Sequence, residues 1–94
     1  MPTYLVEAYM PRSHAQEARA AGRRAQAAAE ELSREGIAVR HVRTTFLPDD
    51  ETCFHFFEAR APAAVEEVSR RAALDRARIV PAIEAPRPAR RRAG

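Results

Sequence analysis

The chain predicts an α+β sandwich of four strands and two helices in the order βαββαβ, and three observations carry that reading. Alternating apolar segments stand near both ends and in the middle. An alanine stripe recurs at three and four residues after the first of them, and a second helical stripe follows Pro62. At 94 residues the chain holds one domain with one modest core. That domain is expected over residues 1–85, with an Arg- and Pro-rich tail over 86–94.

Residues 3–10, TYLVEAYM, alternate as a strand does, with Tyr4, Val6 and Ala8 on one side and Leu5, Glu7 and Tyr9 on the other. Pro11 ends the strand. Ser13 and Gln16 have the spacing of a capping box. Ala18, Ala21, Ala25, Ala28 and Leu32 then form one helix face until Gly36 stops it. A stripe that small lets the helix lie close to whatever it packs on. Residues 37–47 and 51–59 read as two strands around Pro48, Asp49 and Asp50. Pro62 opens a second helix, whose inner stripe includes Val65, Val68 and Ala72. Residues 78–84 are a last strand, and Pro81 marks it as an edge.

This order is that of the ferredoxin-like split unit. Right-handed crossovers place the first and third strands at the centre of the sheet and the second and fourth at its edges. Both helices then cover one face. The other is left for a second subunit or a ligand, and because so short a chain gains stability by pairing, a homodimer is expected.

Charge argues against a nucleic-acid partner. The formal net charge is +3, but Arg87, Arg90, Arg91 and Arg92 lie in the tail, and without them 12 arginines face 13 acidic residues. The folded part carries no basic footprint. The tail, with Pro86 and Pro88 among its arginines, is expected to be disordered. No apolar run reaches the roughly 18 residues of a membrane span, and the N-terminal stretch lacks the pattern of a signal peptide. A cytoplasmic protein is expected, in which the lone cysteine, Cys53, stays a free thiol.

The segment TCFHFFEA, residues 52–59, sets His55 between two phenylalanines. Pro48 suits position i+1 of a type I turn, and a three-residue loop would pair Leu47 with Glu51. That register puts His55 opposite Arg43 and His41 opposite Phe57. Val42, Phe46, Phe54 and Phe56 share one face, expected to be the core because it gathers the bulkiest groups. His41, Arg43, Thr45, Cys53, His55 and Phe57 share the open face. Glu7 would project there too, so Glu7, His55 and His41 could form a row across three strands about 4.8 Å apart. Two imidazoles, a carboxylate and the Cys53 thiolate suit a borderline divalent ion such as nickel, zinc or copper. The same residues also fit a polar dimer seam, since no HxxxH or CxxC motif is present, and a lone cysteine is commonly a small buried hydrophobe.

YLVEA in the first strand, VRHVRTTFLPDDETCFHFFEA across the hairpin and APAAVEEVSRRAALDRARIVPAIE beyond it resemble a family of small bacterial proteins of unknown function that includes a small nickel-binding protein. The likeness covers residues 3–84, and the hairpin is its most specific part. It implies a ferredoxin-like homodimer that binds a divalent metal, nickel in that member, near the sheet and the subunit interface. Glu7 matches the acidic residue after YLV and His41 a histidine of the second strand. His55 falls where relatives carry cysteine, which alters the ligand set.

Two other readings stay open. Small dimeric ferredoxin-like proteins include cofactor-independent monooxygenases and isomerases with a pocket between sheet and helices. There Arg43 would hold an anion, His41 act as general base and Tyr9 donate a hydrogen bond, with Cys53 nearby. The third reading is a metal-free binding or structural dimer.

Overall fold

A computed structural model of the chain describes residues 1–74 and 77–85. The expected tail at 86–94 lies outside the described residues. The elements are β1 (Thr3–Tyr9), α1 (Ala15–Arg34), β2 (Val39–Leu47), a 3-10 turn (Pro48–Asp50), β3 (Thr52–Ala59), α2 (Pro62–Arg71) and β4 (Arg78–Ala82). The four strands form one antiparallel sheet in the order β2-β3-β1-β4. This is the ferredoxin-like arrangement, with β1 and β3 central and the proline-bearing β4 at an edge.

The alanine stripe does what its spacing predicts. Ala18, Ala21, Ala25, Ala28 and Leu32 are all buried, and Val6, Leu32, Phe57, Val65 and Val68 are fully buried at the centre of the core between helices and sheet. Gly36 closes α1 at φ 89° in the left-handed region that glycine adopts freely. Ile37 N–H donates to Leu32 C=O and Gly36 N–H to Ser33 C=O, which is the Schellman pattern. The start of α1 differs from the expected capping box. Its N-cap is His14, with no side-chain cap, because a turn in which His14 N–H donates to Pro11 C=O carries the chain one residue beyond Ser13 before the helix begins.

The hairpin register corrects the face assignment. Glu51 takes a left-handed conformation, φ 49° and ψ 42°, so the connection is one residue longer than expected and Leu47 pairs with Thr52. One residue of slip exchanges the two faces of a strand. Thr44, not Arg43, stands opposite His55, and across β1 the partner of His55 is Val6. Cys53, His55, Phe57 and Ala59 therefore face the helices, each fully buried, while Phe54 and Phe56 lie half-buried on the open face. Bulk is a poor guide here: a helix that approaches on alanines leaves room for a face alternating cysteine, histidine and alanine with one phenylalanine, not for two stacked phenylalanines. A bulge at Val42 then shifts the pairing, and His41 stands opposite Phe57 after all, but on the helix side of the sheet.

Candidate functional site

Three side chains of the hairpin form a hydrogen-bonded chain beneath α1. His41 Nε2 lies 2.8 Å from Thr44 Oγ1, and Thr44 Oγ1 lies 2.8 Å from His55 Nδ1. His41 and Thr44 are three residues apart, a separation that puts two side chains on opposite faces of a regular strand. The Val42 bulge brings them to the same one. The His41 ring also meets Phe57 edge to face at 5.4 Å, which fixes its plane.

His55 is 0% exposed, and its Nε2 has no hydrogen-bond partner among the described residues. Leaving such a nitrogen unpaired costs about 1–3 kcal/mol, and an apolar side chain would avoid that cost. Burial, then the charges of His41 and Arg24, push its pKa down to about 4, so the ring is neutral at pH 7. Burial lowers His41 too.

His55 lines a cleft of about 610 Å3 where the C-terminal end of β1, the N-terminal half of α1 and the end of α2 meet. Tyr9, His14, Gln16, Arg24 and Leu74 line it as well. Arg24 reaches across from α1, its Nε–H donating to Ala72 C=O at 2.8 Å, and so holds a positive charge at the rim. A second cleft, of about 440 Å3, opens on the other side of the hydrogen-bonded chain and is lined by His41, Thr44, Gly22 and Phe46.

The residues singled out from the sequence divide between the two sheet faces. His41 and His55 come together, through Thr44. Glu7 does not join them: it pairs across β1 and β3 with Phe54 on the open face, where its carboxylate lies 3.4 Å from the Arg78 guanidinium. The expected row of Glu7, His55 and His41 is thus divided by the sheet, and the three do not fit one ion. Among the described residues no group of three His, Cys, Asp or Glu side chains could hold a metal ion. Cys53 is fully buried, and burial pushes its thiol up to about 11, so it is no thiolate at neutral pH. Arg43 lies on the open face with its guanidinium 4.0 Å above the Phe56 ring. Tyr9 stands at the mouth of the His55 cleft. Thr44 and Arg24 had no signal in the sequence, one being a threonine in a strand and the other one of many helical arginines.

Comparison of the chain with protein-family models, with curated proteins and with solved structures found no match in any of the three.

Proposed function

We propose that the cleft beside His55 takes a small, partly apolar organic acid, on which the protein acts without a bound cofactor by moving a proton. The observation that carries this reading is a buried histidine, His55, that lines a cleft rimmed by Arg24 and whose Nε2 has no partner among the described residues. A neutral imidazole in a low-dielectric wall supplies one directional hydrogen bond, the guanidinium supplies counter-charge, and Ala8, Ala21 and Leu74 supply apolar contact. An anion bound there would favour the imidazolium and raise the His55 pKa toward the range useful for proton transfer. His55 thereby takes the general-base role first expected of His41.

A divalent ion is the second reading, favoured by the same unpartnered nitrogen, the atom type that nickel and zinc take. Its ligand set would have to be found without Glu7. Titration with benzoate and, separately, with nickel decides between the two, read by the His55 ring signals in NMR and by melting temperature, on wild type and His55→Leu. Benzoate is expected to shift the His55 signals and raise the wild-type melting temperature, with no effect on His55→Leu. Shifts with nickel alone would replace the organic acid by an ion, and shifts with neither would remove both occupants.

We also propose that the protein works as a homodimer of the cytoplasm, its open sheet face covered by a second copy. Leu5, Phe54, Phe56 and Val80 share that face through the pairings of β1 with β3 and β4.

A further inference from the structure

We propose that His41, Thr44 and His55 form a proton relay that joins the buried nitrogen of the first cleft to solvent at the second. The hydroxyl of Thr44 holds one proton between two imidazole nitrogens, 2.8 Å from each, and this permits two arrangements. In one, Thr44 donates to His41 Nε2, His55 Nδ1–H donates to Thr44, and His55 Nε2 is bare. In the other, His41 Nε2–H donates to Thr44, Thr44 donates to His55 Nδ1, and His55 Nε2 carries the proton.

Passage between the two balances. A proton taken up at His55 Nε2 releases the Nδ1 proton to Thr44 Oγ1, Thr44 passes its own proton to His41 Nε2, and His41 loses its Nδ1 proton to water. One proton enters, one leaves, and the chain ends in the second arrangement. Three features suit it to this task. His55 has no exposed surface of its own, whereas His41 is only half-buried and borders the second cleft. Both imidazoles are pushed toward their neutral forms, so neither holds a proton as a trap. Gly22 lets the helix close over Thr44, where a Cβ would stand 3.2 Å from its Oγ1, and this holds the hydroxyl in place between the two rings.

The charged and titratable neighbours frame the exit and the entrance. Around His41 these are Arg19 and Arg23 in the second cleft, and Glu30, Arg34 and Arg40 in a groove that His41 also lines. Around His55 they are Arg24, His14 and Glu17 from the α1 side and Tyr9 from β1.

The inference takes from the organic-acid reading only that His55 Nε2 is the group presented to the first cleft, and its test uses no ligand, so either can fail alone. Solvent exchange of the His55 ring proton is measured by NMR at pH 7.5 on wild type, Thr44→Val, Thr44→Ser and His41→Gln. Valine keeps the β-branched shape and removes the hydroxyl, while serine restores it. Exchange is expected to slow by about tenfold or more in Thr44→Val and His41→Gln and to recover in Thr44→Ser. Unchanged exchange in the valine and glutamine variants would overturn the relay, because water would then reach His55 directly from the first cleft. Slowing in Thr44→Ser as severe as in Thr44→Val would overturn it too, by making shape the cause.

Discussion

Gly22 of α1 meets Thr44 of β2 so closely that a methyl group added to the glycine would stand 3.2 Å from both Cβ and Oγ1 of the threonine. Alanine in place of a mid-helix glycine ordinarily stabilises by about 0.5–1 kcal/mol. Here the neighbour would have to yield a few tenths of an ångström, and Thr44 is held by two hydrogen bonds to histidines. Gly22→Ala is therefore expected to melt no higher than wild type and to disturb the His55 Nδ1 signal. Calorimetry with NMR of the histidine rings checks both.

The buried histidine sets an acid limit on stability. Its pKa is about 4 in the folded chain and about 6.5 unfolded, so the unfolded state binds the extra proton between those values and stability falls as pH drops through that window. Above pH 6.5 both states hold the neutral ring and nothing is lost. The loss between pH 6.5 and 4 is about 3 kcal/mol. Urea unfolding of wild type and His55→Gln over this range is expected to show the steeper decline in wild type. Parallel declines would mean that His55 titrates alike in both states.

The open sheet face predicts an oligomer. A monomer would leave Leu5, Phe54, Phe56 and Val80 on one uncovered surface, which soluble proteins tend to cover. Light scattering is expected to return twice the chain mass, and Phe56→Asp to shift the protein toward the chain mass while the helical signal is kept. A wild-type monomer at micromolar concentration would refute the pairing.

The topology was legible because each element carried its own period. The alanine stripe, the Gly36 stop and the alternation of residues 3–9 needed no tertiary information. Register did not have that support. Whether Pro48-Asp49-Asp50 closes in three residues or four depends on Glu51 accepting a left-handed conformation, which a glutamate does not advertise. That single residue decided which face of β3 met the helices, and with it the separation of Glu7 from His55. The Ser13 cap failed for a similar reason, since the turn at Pro11 moved the helix start by one residue. Thr44 became visible only once His41 and His55 were on its own side.

The bulge at Val42 acts as a change of phase along β2: residues before and after it are counted in opposite parity. Removing one residue there would turn Val39 and His41 outward and drive Arg40 inward, exchanging a valine that is 3% exposed in the apolar core for a guanidinium. Arg40 would also leave Glu58, its present ion-pair partner. The irregularity that lets two histidines share a threonine is thus tied to the packing of the core, and sequence drift cannot delete the one without unsettling the other. A polar device that would be easy to lose on a regular strand is here protected by the hydrophobic residues next to it.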